Sequence, residues 1–327
     1  MKPRILMARA VFPDVIDGLR EHFEVEDNQA DVIFSEDELI TRLQGKAGLF
    51  NATSQQVSAR TIAACPQLLA ICNMAVGYNN VDLGAATQAG ILVTNTPDVL
   101  NETTADFAWA LLMATARRVT ESEHWLRAGK WDRWRYDGFL GADVHGATLG
   151  ILGMGRIGQA IARRSSGFGM KVIYHNRSRL PEANERAANN AELVSMDALL
   201  HRSDHLVLAL PYSAESHHII GAAELACMQP GATLINIARG GIVDDAALIE
   251  ALRAHRIAAA GLDVFENEPA LHAGFLELSN VVLTPHIASA SGPTRRAMAR
   301  CAADNLLAAL SGATPPNLVN PEVRRPG

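Results

Sequence analysis

The sequence has few cysteines, and their spacing suits neither a disulfide framework nor a metal site. Only four occur in 327 residues, and no two of them form a C-x-x-C pair. We therefore expect reduced thiols and no bound metal. No apolar run reaches the roughly 18 residues that a membrane helix needs, and the N-terminal apolar run is too short for a signal peptide. Together these absences predict a soluble protein of the cytoplasm.

The sequence also lacks blocks of basic residues. Its formal net charge is −6, with 29 Lys and Arg against 35 Asp and Glu. Nucleic acid and anionic membranes are therefore poor candidates as partners, and a small molecule is favoured. The 48% hydrophobic content supplies material for large cores. A chain of this length is expected to form about two domains.

Short apolar runs alternate with amphipathic stretches along the whole chain, which is typical of parallel sheets flanked by helices. The strands predicted in the first part are residues 4–8, 32–34, 48–50, 69–72 and 92–95. The strands predicted in the second part are residues 148–152, 171–174, 205–208, 233–236, 259–262 and 281–283. Between the two parts, a helical run over 102–127 is too long for an ordinary crossover and is expected to connect two domains.

These elements predict an α/β protein with two doubly wound parallel sheets. A last helix, at about 292–310, is expected to return to the first domain. That domain would be discontinuous and flavodoxin-like, comprising residues 1–100 and 288–327, and would bind the substrate. Residues 101–287 would form an inserted dinucleotide-binding domain. Ligands of such sheets bind beyond the carboxyl ends of the strands, so functional residues are expected there.

A glycine-rich turn follows the first strand of the second domain. Gly153, Gly155 and Gly158 have the G-x-G-x-x-G spacing. The first glycine permits a tight turn, the second lets the backbone approach a pyrophosphate, and the third allows a helix to pack closely on the strand. The positive end of that helix would face the phosphates. The segment predicts a Rossmann-like cofactor domain, with Arg156 and Ile157 inside the cofactor-binding turn.

The end of the next strand indicates which nicotinamide cofactor is bound. NAD enzymes present an Asp or Glu there, which accepts hydrogen bonds from the ribose 2′-hydroxyl. Here Asn176 stands 18 residues after Gly158, and its surroundings, YHNRSR, include no acid. Arg177, Ser178 and Arg179 offer donors suited to a 2′-phosphate, although a solvated basic loop is the alternative. We therefore expect NADPH as the preferred cofactor and NADH as a weaker alternative.

Three later strands are followed by charged side chains. Arg239 follows one strand, Asp263 and Glu268 follow the next, and His286 follows the last. Because the carboxyl ends of parallel strands share one edge of a sheet, these side chains are expected to converge near the cofactor. Taken singly, each could be a surface ion pair or a structural residue. Taken jointly, they indicate an active site.

These motifs resemble those of the D-isomer-specific 2-hydroxyacid dehydrogenases. The resemblance covers almost the whole chain, including residues 75–82 (AVGYNNVD). Residues 144–158 (VHGATLGILGMGRIG) and the Asn-Arg-Ser loop are most similar to the NADPH-dependent glyoxylate, hydroxypyruvate and 2-ketogluconate reductases. The resemblance implies an oxidoreductase that reduces short 2-oxo acids to D-2-hydroxy acids.

The resemblance also implies a role for each catalytic candidate. Arg239 would bind the carboxylate and carbonyl oxygen of the substrate. His286 would donate a proton to that oxygen while hydride arrives from the nicotinamide. Glu268 would orient His286 and favour its protonated form. Backbone N–H groups of Val76 and Gly77 would hold the other side of the carboxylate.

Further cofactor contacts follow from the same resemblance. Asp263 would face the nicotinamide carboxamide, and Arg239 and His286 would border the cofactor as well as the substrate. The remaining implied contacts are Thr104, Leu210, Pro211 and Ala238.

Two expectations concern residues outside the site. In relatives the region around the aromatic segment 131–139 takes part in a dimer contact, so a homodimer is expected. Trp134 or Phe139 could then reach the pocket of the other subunit. The adjacent His217 and His218 are expected to point in different directions and to be structural.

Two other functions share this fold. A formate dehydrogenase would have Gln where Glu268 stands, so the sequence argues against that function. A dinucleotide-sensing corepressor would keep the fold and bind partner peptides, and such proteins typically carry extra interaction segments that are not apparent here. We therefore expect an enzyme.

Overall fold

The structure, a computed structural model, describes residues 1–323. The chain divides into two compact units, of which unit 1 comprises Met1–Leu100 and the segment from Ser291, and unit 2 comprises Asn101–Ala290. The first boundary lies where the sequence places it, and the second lies three residues later than predicted. The reason is local: the Ser291 hydroxyl accepts a hydrogen bond from the backbone N–H of Thr294, so the segment that returns to unit 1 begins at a helix cap.

Unit 1 contains a parallel sheet of five strands in the order β2-β1-β3-β4-β5, the flavodoxin-like order. The strands are β1 (Arg4–Met7), β2 (Glu24–Glu26), β3 (Gly48–Asn51), β4 (Ala70–Asn73) and β5 (Leu92–Thr94). Alternate residues point to opposite faces, so that Leu6 joins one hydrophobic cluster and Ile5 and Met7 join another. Because both faces are covered, all of these strands except the edge strand β2 consist mainly of apolar residues.

The predicted strand at 32–34 is wrong. Val32 and Ile33 are about half exposed and belong to no strand, whereas the edge strand β2 pairs with β1 from Glu24 onward. The amide of Asn28 donates to the carbonyls of Ala8 and Val32 at 2.8 and 2.7 Å and holds this segment as a turn. The Glu-Val-Glu sequence of β2 carries charges that suit an edge and hide it from a hydropathy pattern.

Four helices cover the sheet of unit 1 within the first hundred residues. They are α1 (Pro13–His22), α2 (Glu36–Leu43), α3 (Ala59–Ala63) and α4 (Leu83–Gln88). The side chains of Ser35, Ser58 and Asp82 accept hydrogen bonds from the first turns of α2, α3 and α4. Such N-caps fix where each helix begins.

The long helical run at 102–127 is two helices rather than one. They are α5 (Asn101–Ala116) and α6 (Val119–Arg127). Arg118 interrupts the run because its φ of 53° is left-handed, and its guanidinium is held by Glu121 at 2.7 and 2.8 Å. The carbonyl of Ala116 accepts from Ala142 at 2.8 Å, which closes the end of α5. Only α5 is buried, and it packs on the sheet of unit 2.

Unit 2 contains a parallel sheet of seven strands in the order β12-β11-β10-β9-β6-β7-β8. The strands are β6 (Thr148–Leu152), β7 (Lys171–His175), β8 (Glu192–Leu193), β9 (His205–Leu208), β10 (Thr233–Asn236), β11 (Ala259–Leu262) and β12 (Val281–Leu283). The strand order reverses between β6 and β9, which is where a Rossmann-like sheet binds its ligand. Five strands have the predicted bounds, and the two-residue β8 was missed.

The helices of unit 2 complete the doubly wound pattern. They are α7 (Arg156–Arg164), α8 (Glu182–Ala187), α9 (Met196–Arg202), α10 (Ala222–Cys227) and α11 (Asp245–Arg253), with 3-10 turns at Ser165–Phe168, Ala214–Ser216 and Ala273–Glu277. The last helix, α12 (Gly292–Leu310), packs on β3, β4 and α1 of unit 1. The predicted fold class is thus confirmed.

Two findings bear on the composition-based expectations. All four cysteines are free thiols. Among residues 1–323, the helices are too short or too polar to qualify as membrane spans.

Candidate active site

The glycine turn has the geometry that a dinucleotide phosphate requires. Gly153 has a φ of +97°, and a Cβ there would lie 2.8 Å from the backbone of Ala209. A Cβ on Gly158 would lie 2.3 Å from the carbonyl oxygen of Gly153. By contrast, a Cβ on Gly155 would meet no atom within 4 Å, so open space lies where a phosphate would approach. The turn leads directly into α7, whose N-terminus favours an anion.

The other predicted cofactor residues of unit 2 follow strands or lie near the start of a helix. Leu210 and Pro211 follow β9, and the Cβ of Leu210 lies 2.8 Å from the position of a Cβ on Gly153. Ala238 follows β10 and is buried, and Thr104 is buried near the start of α5. Arg156 and Ile157 begin α7 beside the glycines.

The segment after β7 presents its two basic residues differently. The side chains of Arg177 and Ser178 are exposed, and Asn176 donates to the carbonyl of Ser178 at 3.1 Å. Arg179 instead pairs with Glu185 through two hydrogen bonds of 3.0 and 2.9 Å. A phosphate would therefore compete with Glu185 for Arg179.

Glu185 itself belongs to a buried network. Its carboxylate accepts from the hydroxyl of Tyr174 at 2.7 Å, and that hydroxyl accepts from the N–H of Leu180 at 3.0 Å. The hydrogen bonds from Arg179 and then from Tyr174 lower the pKa of Glu185. This network holds the segment after β7 in place and gives Arg179 a structural partner.

His286 and Glu268 form the pair that the sequence predicts. Nδ1 of His286 lies 2.8 Å from Oε2 of Glu268, and each side chain is about one-third exposed. Oε1 of Glu268 accepts from the backbone N–H of Phe265 at 3.0 Å. Burial alone would raise the pKa of Glu268, but the hydrogen bond and charge of His286 outweigh it and lower that pKa. The carboxylate is therefore ionised and holds the imidazole with Nε2 on its other side.

Asp263 fixes the segment that carries His286. It is fully buried, and its carboxylate accepts from the hydroxyl of Thr284 at 2.7 Å and from the N–H groups of Ile287 and Ala288 at 2.8 Å. The N–H of His286 donates to the Asp263 carbonyl at 2.9 Å. These bonds support the left-handed φ of 53° at His286. The structure thus gives Asp263 a positioning role, and its contact with the nicotinamide stays a prediction.

Arg239 lies in the turn between β10 and α11. Its Nη1 donates to the carbonyl of Ala238 at 2.6 Å, and its own carbonyl accepts from Asn236 at 3.2 Å. Burial lowers the pKa of Arg239, while the charge of Glu268 acts in the opposite direction. A guanidinium remains protonated in such surroundings and binds a carboxylate more strongly than it would in water. Arg239 and Glu268 thus lie near enough for their charges to act on each other, Glu268 contacts His286, and the catalytic roles of the three stay predictions.

In unit 1, Val76 and Gly77 follow β4. The carbonyl of Val76 accepts from Asn95 at 2.8 Å, and the carbonyl of Gly77 accepts from Asn73 at 2.7 Å. A carbonyl shares its peptide plane with the next N–H, so the Val76 carbonyl fixes the N–H of Gly77. The Ala75 carbonyl accepts from Thr96 at 2.8 Å and fixes the N–H of Val76. The loop is therefore built as a rigid turn, as an anion-binding loop must be.

The sequence interpretation missed one feature beside this site. The rings of His217 and His218 stack at 3.9 Å between centroids, so they do not point in different directions. The reason is the left-handed φ of 51° at His218, which turns its side chain toward that of His217. The imidazole of His218 contacts the carboxylate of Glu266. The only sign of this feature in the sequence is that the two histidines are adjacent and lie between two motifs.

Comparison with known proteins agrees with this geometry. The family model for the NAD binding domain of D-isomer specific 2-hydroxyacid dehydrogenases matches residues 109–288. A glyoxylate reductase of Thermococcus gammatolerans is 47% identical over 334 residues, covering 100% of this chain and 99% of that protein. One from Pyrococcus furiosus is 44% identical with the same coverage.

A solved structure is similar over its whole length. The NADPH-dependent glyoxylate/hydroxypyruvate reductase of Sinorhizobium meliloti, in complex with NADP and malonate, has a TM-score of 0.89 and 36% identity, with 100% of both chains covered. The glycine turn and the strand-end residues define an NAD(P)-dependent oxidoreductase. More narrowly, the chain belongs to the D-isomer specific 2-hydroxyacid dehydrogenase family.

Proposed function

We propose that this enzyme reduces short 2-oxo acids to D-2-hydroxy acids and prefers NADPH. The candidate substrates are glyoxylate, hydroxypyruvate and 2-ketogluconate. The observation that carries the proposal is the His286–Glu268 pair beside Arg239, at the same sheet edge as the glycine turn. The names of the similar glyoxylate reductases support the substrate class.

Each side chain has its own role in the proposed reaction. Arg239 binds the substrate carboxylate and polarises the carbonyl oxygen through its guanidinium fork. When bound, the dihydronicotinamide supplies a hydride to the carbonyl carbon. His286 gives its proton to the carbonyl oxygen, which leaves a hydroxyl group and a neutral imidazole. Glu268 keeps the imidazole oriented, and the N–H groups of Val76 and Gly77 bind the carboxylate.

The preference for NADPH depends on the segment after β7. Asn176 offers one neutral acceptor oxygen where a carboxylate offers two charged ones, and it brings no negative charge that would repel a 2′-phosphate. Arg177 and Ser178 are exposed donors beside it. The NADP bound to the Sinorhizobium meliloti reductase supports the same choice.

In this proposal unit 2 binds the dinucleotide and carries Arg239 and His286, and unit 1 supplies the N–H groups of Val76 and Gly77. The enzyme would be a homodimer of the cytoplasm. Trp131, Trp134 and Tyr136 are 62%, 78% and 81% exposed in the single chain, which supports a partner at the aromatic segment. A monomer by light scattering would contradict this part of the proposal.

The test is loss of absorbance at about 340 nm as NADPH is oxidised in the presence of glyoxylate, hydroxypyruvate, pyruvate or 2-ketogluconate. We expect turnover with glyoxylate and hydroxypyruvate. Binding of NADPH without turnover of any 2-oxo acid would contradict the proposal and favour a dinucleotide-sensing role.

A further inference from the structure

Two backbone segments of unit 2 carry two of the three catalytic side chains. The first, residues 236–244, carries Arg239, and the second, residues 263–269, carries Glu268. They touch directly at Gly240, where a Cβ would lie 1.7 Å from the carbonyl oxygen of Phe265. Only glycine allows this approach, so the separation of the two catalytic groups depends on how the segments are held together.

A third segment, the loop after β9, is hydrogen-bonded to the first segment, residues 236–244. The backbone N–H of His218 donates to the carbonyl of Gly241 at 2.7 Å, two residues beyond Arg239. The N–H of Ile220 donates to the carbonyl of Ile242 at 3.2 Å, so the two segments are paired at two successive positions. These bonds therefore fix the loop after β9 relative to the segment that carries Arg239.

The side chain of the same histidine reaches the second segment. Nε2 of His218 contacts Oε1 of Glu266, two residues before Glu268. Its Nδ1 lies 3.9 Å from a carboxylate oxygen of Asp244, at the start of α11. The N–H of Glu266 donates to the buried carboxylate of Asp245 at 3.1 Å. Glu266 is thus held by its side chain and by its backbone.

From this arrangement we infer that His218 is a positioning residue that sets the distance between Arg239 and the Glu268–His286 pair. This inference rests on the proposed function of those residues. The side chains of His218 and Glu266 are 36% and 27% exposed, so their contact is partly open to solvent and contributes little to stability. The reaction rate depends on this contact more than stability does, because a shift of about 1 Å in a catalytic group can lower the rate roughly 100-fold.

The experiment compares His218→Ala, His218→Gln and, as a matched control, His217→Ala. His217 stacks on His218, and its Nδ1 lies 3.2 Å from the hydroxyl oxygen of Tyr212, a residue of neither segment. We expect His218→Ala to lower kcat/KM for a 2-oxo acid at least about 10-fold. Because a glutamine amide can still donate to Glu266, His218→Gln should remain within about 3-fold of the wild type, as should His217→Ala.

Three further measurements distinguish a positioning role from a general loss of stability. The dissociation constant for NADPH and the melting temperature should change little in His218→Ala. A double-mutant cycle with Glu266→Ala should be non-additive, because both changes break one contact. Activity of His218→Ala within about 2-fold of the wild type, or equal losses of cofactor affinity and stability, would overturn the inference.

Hydrogen exchange gives a readout that does not need turnover. In His218→Ala, the segments 236–244 and 263–269 should both exchange faster, while the segment after β7 should not. Unchanged exchange in the two catalytic segments would contradict the positioning role. If the wild type reduced no 2-oxo acid, the proposed function would fail, and hydrogen exchange would still decide whether His218 holds the segments.

Discussion

Two regions of unit 2 differ in how firmly their side chains are held. The catalytic segments after β10, β11 and β12 are fixed by buried hydrogen bonds, with Asp263 alone accepting three. The segment after β7 presents Arg177 and Ser178 to solvent. In the proposed reaction the first region would have to place a proton donor and a guanidinium within a fraction of an ångström, whereas the second would only have to offer positive charge.

This difference indicates that the chemistry and the cofactor preference can change independently. A substitution in the catalytic segments disturbs a network whose members depend on one another, so its effect on rate should be large. A substitution in the exposed segment should alter cofactor affinity and leave the reacting groups in place.

The largest effect is expected for His286→Gln. If His286 is the proton donor, as proposed, its removal should lower kcat by roughly 10²–10⁴-fold, while the dissociation constant for NADPH changes little. Steady-state rates and cofactor titration by fluorescence would measure both. His201→Gln, a change at an exposed histidine of α9, is the control. An unchanged kcat in His286→Gln would remove this residue from the proton-donor role.

A smaller and more selective effect is expected for Arg177→Asp. Losing charge-assisted hydrogen bonds and adding repulsion should weaken NADPH by about 100-fold and NADH by less than about 3-fold. The difference should shrink at high salt because the site is exposed. Arg179→Gln provides the comparison, since Arg179 is already paired with Glu185. If Arg179→Gln alone abolished the preference, the 2′-phosphate would be bound by that residue instead.

The smallest effect concerns the pH dependence of stability. Burial raises the pKa of Asp245 from an ordinary 3.8 to about 6, so the folded protein binds this proton more tightly than the unfolded chain. The stabilising contribution of Asp245 is complete below pH 4 and is lost as the pH rises through 6, by up to about 2–3 kcal/mol.

Asp245→Asn should abolish that loss, because an amide oxygen can still accept from Glu266 without a charge. Urea unfolding at pH 5 and pH 8 would show a smaller drop in the free energy of unfolding for Asp245→Asn than for the wild type. Asp244→Asn, at the neighbouring helix cap, is the control. Equal drops in all three proteins would show that Asp245 does not titrate in this range.

Prediction from the sequence succeeded where a signal lies within one short segment. The strand β6, the glycine turn and α12 were placed because hydrophobic runs, glycine spacing and caps are local. Prediction failed at β2 and β8, which are short and carry glutamates at the sheet edges. It also missed the break at Arg118, because a left-handed arginine has no signature in composition.

The sequence by itself determined the fold class, the dinucleotide turn and the residues that could carry out a reduction. These depend on spacing between neighbours along the chain. Only the tertiary structure decided that Arg179 is paired with Glu185, that Asp263 holds the His286 segment and that His218 reaches Glu266, 48 residues away. Contacts between loops follow from strand order and register, and these are set by packing of the whole sheet.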